Sequence, residues 1–280
     1  MRNKTLTFGS VIAKFRFFKK RKSHVLFKKI TSAIALTATL LVGLPAQADL
    51  VAFYNFNNGS AEDVSGNGND GVSSTLAPSF TANGYEGGAF DFNQSSNSFT
   101  VLPVDIGPTS MPEITMGGWF KTDAINGITG LLSHDNCCYD RQLGIDTRGG
   151  GGYTYSGFAG NGVQGSTPVV IGEWTFLAFR HSQLTGDFTL DVNGVHYDRT
   201  GVTYTDGTTQ LYLGRNPNYD HPFDGQADNV FVFDHILTDQ ELVDMRVQGE
   251  SFFSQDVSAP AIALFALSML PFWRRQKKIK

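Results

Sequence analysis

The chain has 280 residues and a formal net charge of −4, from 22 Lys+Arg and 26 Asp+Glu. The charges are segregated: residues 1–48 carry 10 basic and no acidic residues, 274–280 carry 5 more basic ones, and the 225 between hold 22 − 15 = 7 basic and all 26 acidic residues, a net −19. That excludes nucleic-acid binding by phosphate neutralisation, while 23 Phe and 9 Tyr supply core for one domain of about 200 residues.

At the N-terminus a basic region ends at Lys28-Lys29, an apolar run follows over 33–44, and Pro45-Ala46-Gln47-Ala48 supplies a small-x-small cleavage signal. This pattern predicts a signal peptide over 1–48, removed by signal peptidase near Asp49. The other reading is an uncleaved anchor. From 49 to 250, apolar segments are short and bounded by Gly, Asn, Asp and Ser, the all-β pattern. Strands are predicted over 50–56, 114–120, 174–179, 210–213 and 229–233, and Asn193-Gly194 predicts a hairpin between 188–192 and 195–197. Trp119 and Trp174 fall in strands and are expected in the core. One helix is marked by Thr238 as cap, Glu241 three residues later, a Leu237/Leu242 staple and Gly249 at its end, with Leu242 and Met245 toward the sandwich.

After a linker over 251–256 come Val257-Ser258-Ala259-Pro260, an apolar run over 261–273 and the basic tail. The run is short of the roughly 20 residues of a spanning helix. This arrangement resembles the PEP-CTERM sorting signal of Gram-negative bacteria, with Val-Ser-Ala-Pro where Val-Pro-Glu-Pro is usual. The resemblance implies a transient inner-membrane stage, exosortase processing and release to the cell surface or extracellular matrix; the other reading is a permanent anchor.

The body carries a second resemblance. Phe223 to Phe233 followed by Leu237-Thr238-Asp239-Gln240-Glu241-Leu242 is similar to the closing motif of laminin G-like, concanavalin A-like jelly rolls. Phe53-Tyr54-Asn55-Phe56 with Asp63 to Gly71 matches the first strand and loop, and Trp119, Glu173 to Ala178 and Leu190 to Gly194 match the middle. The resemblance covers 49–250. It implies two antiparallel sheets, often a calcium ion, and binding of glycans or proteins through loops.

Asp63, Ser65 and Asn67 with Gly68 place oxygen ligands at alternate positions of a turn, as a hard cation requires. Ser74 where a bidentate Glu is needed, and the lack of flanking helices, rule out an EF-hand. An Asn/Gly turn held by its own side chains is the other reading. By resemblance, Asp228 closes a calcium site, with Asn57 and Asn58 just after the first strand. Gly66, Gly68 and Gly71 spell G-x-G-x-x-G but lie in no βαβ unit. Cys137 and Cys138 are the only cysteines. Adjacent Cα atoms lie about 3.8 Å apart, under the usual disulfide span of about 4.4–6.8 Å; a strained vicinal bond, a cross-link between chains and two free thiols all remain open.

Sugars bind to aromatic faces flanked by planar amide, carboxylate and guanidinium groups. Tyr139, Asp140 and Arg141, then Tyr155, then Tyr219 in a second loop, are the ligand-binding candidates; Asp140-Arg141 as a structural ion pair is the alternative. Glycoside hydrolysis needs two placed carboxylates, and neither a Glu-x-Asp-x-x-Glu strand nor a G-x-S-x-G elbow occurs. The expectation is an exported, non-catalytic module for polysaccharide or glycoprotein, with calcium as cofactor. The alternatives are a protein-binding matrix component and a hydrolase using an unrecognised Asp pair.

Overall fold

The computed structural model describes residues 50–73, 76–160 and 162–254. The expected signal peptide and sorting segment lie outside the described residues. Within them, the strands are β1 (Leu50–Tyr54), β2 (Val72–Ser73), β3 (Ser79–Thr81), β4 (Ala89–Phe92), β5 (Thr100–Leu102), β6 (Glu113–Thr122), β7 (Thr129–Ser133), β8 (Gln142–Asp146), β9 (Thr154–Phe158), β10 (Gln164–Pro168), β11 (Trp174–Ser182), β12 (Phe188–Val192), β13 (Val195–Arg199), β14 (Leu211–Leu213) and β15 (Gly225–Phe233). They form two antiparallel sheets. One runs β13-β12-β11-β6-β15-β4-β3, with β1 also on β15; the other runs β10-β9-β8-β7-β14-β5-β2. The fold is an all-β jelly-roll sandwich.

Strand alternation builds its core. In β6, Ile114, Met116 and Phe120 point between the sheets, where they meet Leu143 and Ile145 of β8 and Leu177 and Phe179 of β11. Each such fully buried side chain stabilises the sandwich by about 1.5–3 kcal/mol. Between β12 and β13, Asn193 (φ 52°) and Gly194 (φ 88°) form the tight turn, a left-handed pair that Asn and Gly tolerate.

Helix α1 (Asp239–Gln248) starts at a complete Thr238/Glu241 capping box and ends at Gly249. Leu242 and Met245 cover the outer face of the eight-stranded sheet, against Phe53, Phe176, Phe231 and Phe233. The body does not stop at 250. A one-turn helix, α2 (Glu250–Phe253), occupies the start of the expected linker and stacks Phe253 on Phe53 at 3.7 Å. Trp119 and Trp174 are also displaced from expectation. They lie half-buried on that outer face, Trp119 under Tyr85 at 3.5 Å, because the residues that alternate with them fill the core.

A candidate ligand-binding cleft

In β8, Leu143 and Ile145 enter the core, so Gln142, Gly144 and Asp146 face the other way. In β9 the same parity sends Tyr155 inward and Phe158 outward. The outward row is polar yet buried, because the loops 134–141 and 214–224 fold over it. Asn216 ties those loops together. Its amide donates to Asp135 Oδ2 (3.0 Å) and Gln142 Oε1 (2.8 Å), and its own oxygen accepts the backbone N–H groups of Asn218 and Tyr219 (3.0 Å each). Gln142 Oε1 also accepts from Ser133 Oγ at 2.7 Å.

Above this network opens a cleft of about 230 Å³ lined by Asp135, Cys138, Tyr139, Arg148, Tyr219 and Asp220. Three of these six are non-glycine residues with positive φ: Cys138 (72°), Tyr139 (67°) and Asp220 (63°). Such conformations persist only where surroundings enforce them, and they cluster at binding sites. Cys137 and Cys138 are bonded to each other, with Cα atoms 3.8 Å apart. Arg148 lies over the Tyr139 ring at 5.3 Å and is gripped by both carboxylate oxygens of Asp146. That carboxylate holds its proton affinity well above the usual arginine range. Tyr219 is 53 % exposed.

Tyr139 and Tyr219, 80 residues apart in sequence, thus share one cleft. The other proposed ligand contacts need correction. Tyr155 is 2 % exposed and belongs to the core, because its segment is strand rather than loop. Arg141 is wholly buried and reaches no surface. It donates to the carbonyls of Ile106 (2.6 Å), Met111 (2.7 Å) and Pro112 (3.1 Å) and to His181 Nδ1 (3.0 Å). Asp140 does not pair with it. Its carboxylate closes the turn below by accepting Asn136 N–H (3.1 Å), and burial pushes its pKa up to about 6.

The four metal candidates fall into two places. Asp63 anchors the first loop: its oxygens accept the backbone N–H groups of Phe53, Ser65 and Asn69, all at 3.0 Å. Asn67 turns its amide to the carbonyls of Leu50 and Val51. Those side chains perform the turn-holding role. Asn57 and Asp228 instead flank the 84–88 turn, where Asn57 Oδ1 accepts Gly88 N–H (2.7 Å) and Asp228 Oδ2 accepts Glu86 N–H (2.9 Å). Asp228 is fully buried, and burial, reinforced by the Glu250 charge, pushes its pKa up to about 7. Its neighbour Asn229 has φ 48° at a bulge in β15, and both its side-chain polar atoms are buried without a partner. Asp228 also accepts Asn229 N–H (2.7 Å), so it and Asp63 are both held by backbone donors; what sets the Asp228 site apart is the orphaned Asn229 Oδ1 beside a buried carboxylate, an oxygen pair that fits a hard cation. Among the described residues, no three His, Cys, Asp or Glu side chains gather at metal-binding distance.

The sequence matches the family model described as the concanavalin A-like lectin/glucanases superfamily over residues 93–243, more than half of the chain. The chain belongs to that superfamily. Comparison with curated proteins returned no match. Among solved structures, this concanavalin A-like chain is similar to domain 4 of AbnA, a GH43 extracellular arabinanase from Geobacillus stearothermophilus, in complex with arabinotriose (21 % identity, 71 % of this chain, 98 % of that one, TM-score 0.54). It is also similar to the binding domain of Paraclostridial Mosquitocidal Protein 1 (16 % identity, 72 % of this chain, 52 % of that one, TM-score 0.57). A third is Trypanosoma rangeli sialidase (16 % identity, 81 % of this chain, 39 % of that one, TM-score 0.54). The chain spans about half or less of the latter two. At such identities these likenesses establish the shared fold, one that carries both binding domains and hydrolases.

Sequence reasoning missed Arg148 and Asp220 as cleft residues of this concanavalin A-like domain, and Asn216 as the buried tie beneath it. Asn216-Pro217-Asn218 signals an Asx turn, but nothing local in the sequence points Asn216 at Gln142, 74 residues earlier.

Proposed function

We propose that the protein is an exported, non-catalytic module that binds polysaccharide in the cleft over β7, β8 and the β14–β15 loop. The observation carrying this reading is the convergence of Tyr139, Tyr219 and Arg148 on one open groove. Aromatic faces pack on sugar C–H surfaces, while the fixed carboxylates and guanidinium take hydroxyls. At about 230 Å³ the cleft is smaller than the ~300–1,000 Å³ that encloses a drug-sized ligand, which suits one unit of a longer chain. The ligand named for the arabinanase domain supports a glycan as partner. A hydrolytic role has less support: the outward row of β8 carries only one carboxylate, Asp146, committed to Arg148, and the cleft's Asp135 and Asp220 come from separate loops, whereas hydrolysis needs two carboxylates set at a fixed separation.

The test is affinity electrophoresis of the full-length protein in gels cast with neutral and charged polysaccharides. Retardation that Tyr219→Ala weakens by about tenfold, the loss of one aromatic anchor, is expected with an unchanged melting temperature, since that ring is half exposed. No retardation by any polysaccharide would sink the reading.

Calcium is proposed at Asp228 and Asn229, with Asn57 beside them; bound there it would neutralise the buried carboxylate and fix the 84–88 turn. Added calcium is expected to raise the melting temperature and chelator to reverse it. Asp228→Asn should abolish the response, whereas Asp63→Asn should lower the melting temperature equally with and without the ion. An identical curve in calcium and chelator removes the metal. For export, the basic ends bracketing the acidic body support processing by signal peptidase and an exosortase-type enzyme, and display at the surface or in the matrix.

A further inference from the structure

Charges around the cleft do not balance. Asp135, Asp140, Asp146 and Asp220 lie in it or beneath it, and among the described residues Arg148 is the one cation lining it. Its charge is already paired with the buried Asp146 carboxylate, Nε standing 3.0 Å from Oδ1 and 2.9 Å from Oδ2. The remaining three acids accept from uncharged donors. Asp135 takes Asp140 N–H and the Asn216 amide, Asp140 takes Asn136 N–H, and Asp220 takes the Gln142 amide at 3.3 Å. Burial raises the pKa of both Asp140 and Asp220, and the charge of Asp135 adds to each. Two further arginines are engaged elsewhere. Arg215 sits over the Phe99 ring at 4.8 Å and donates to the Asn216 and Pro217 carbonyls, and Arg141 is sealed in the interior.

Resting on the glycan-binding reading and deepening it, we infer that the cleft selects its ligand by charge: it takes glycan units that are uncharged or carry a free amine, and it rejects those bearing carboxylate or sulfate. The carboxylate oxygens of Asp135 and Asp220 accept from ligand hydroxyls, and more strongly from an ammonium group. An anionic unit meets like charges within contact range and, among the described residues, no lining cation whose charge is not already paired with a carboxylate. Like-charge repulsion in a half-solvated site is large enough to decide between ligands. The net −19 of the body between the two basic ends adds a long-range field of the same sign.

The test applies full-length protein to an array of glucans, galactans and arabinans with their amino, uronic and sulfated counterparts, at low salt and at ~1 M, where the screening length falls to about 3 Å. Carboxylated and sulfated members should bind at least about tenfold more weakly than uncharged or amino members of the same backbone at low salt. The gap should narrow at high salt and in Asp220→Asn, which is isosteric and keeps an acceptor for Gln142. Anionic members bound as tightly as uncharged ones would overturn the charge selection and leave glycan binding standing. A gap indifferent to salt would overturn it even if Asp220→Asn failed to fold. Binding to no member would overturn both readings.

Discussion

Two polar clusters lie on opposite faces of β8, and they differ in how completely they are answered. The inner one holds Arg141, His134, His181 and Tyr204. Arg141 spends its donors on three carbonyls and His181 Nδ1, His181 donates from Nε2 to Val202 (3.0 Å), and His134 bonds both Thr208 and Tyr204. The outer cluster, beneath the cleft, is rich in carboxylates: Asp146 pairs with Arg148, while Asp135, Asp140 and Asp220 accept only from neutral N–H groups, and Asp135 and Asp220 line the opening. Both are largely buried, and both contain charged groups. The lesson is that burial of polar groups does not by itself mark a site. A closed network specifies structure; a network left with unspent capacity and an opening is one that a ligand can complete.

The largest effect should come from opening the closed cluster. Arg141→Met strands three carbonyls and His181 Nδ1 without donors in the interior. Unanswered buried acceptors cost about 1–3 kcal/mol each, less where the site relaxes, so a loss of 3 kcal/mol or more is expected. For a domain of this size that is about 6–12 °C in melting temperature. Asp220→Asn, in the open cluster, should shift it by less than ~2 °C. Equal shifts in thermal unfolding would erase the distinction.

Acid should separate the clusters next. Burial lowers the pKa of His134 and of His181 to about 4, from an ordinary value of about 6.5. The folded state therefore refuses protons that the unfolded chain accepts. Stability from this cluster is complete above pH ~6.5 and is lost as pH falls toward ~4. Asp140 and Asp228, raised to about 6 and about 7, act in the opposite sense and gain stability over part of the same range. His181→Gln isolates the histidine contribution, since Gln offers Arg141 an acceptor and Val202 a donor but binds no proton. The stability lost between pH 7 and pH 4 should be smaller in that variant, by on the order of 1–3 kcal/mol. Parallel curves would show that His181 does not titrate with unfolding.

The difference between the clusters also explains what was legible in the sequence. Features fixed within a few residues were plain: the Asn193-Gly194 turn, the Thr238/Glu241 box, and the apolar, aromatic-bearing strands β1, β6, β11 and β15. Side assignment was not. Arg141 and Tyr155 have the composition of a sugar site, but whether a residue faces core or cleft depends on where β8 and β9 begin, and a shift of one residue reverses the face. Tyr139, two residues before Arg141, escapes this parity because it lies in the loop ahead of β8, held at positive φ. Contacts such as Asn216 to Asp135 span 81 residues and leave no local trace. The metal candidates divided for the same reason: the alternating oxygens at 63–67 are a local pattern that a turn uses equally well, whereas the orphaned amide of Asn229 is apparent only in three dimensions.

The smallest effect should come from the cleft wall, where Cys138 meets Tyr139. A bond between adjacent residues closes almost no loop, and the restriction a disulfide places on the unfolded chain grows with the loop it closes. Replacing both cysteines by serine should therefore change the melting temperature by less than ~2 °C. The same change frees Cys138 and Tyr139 to leave their positive φ values, which loosens one aromatic wall of the groove. Glycan retardation should weaken several-fold, with a larger loss for Tyr139→Ala than for the serine pair, because one removes the ring and the other only its placement. Should the serine pair unfold the protein as readily as Arg141→Met, the wall belongs to the closed cluster, and the boundary between structure and site runs through the cleft.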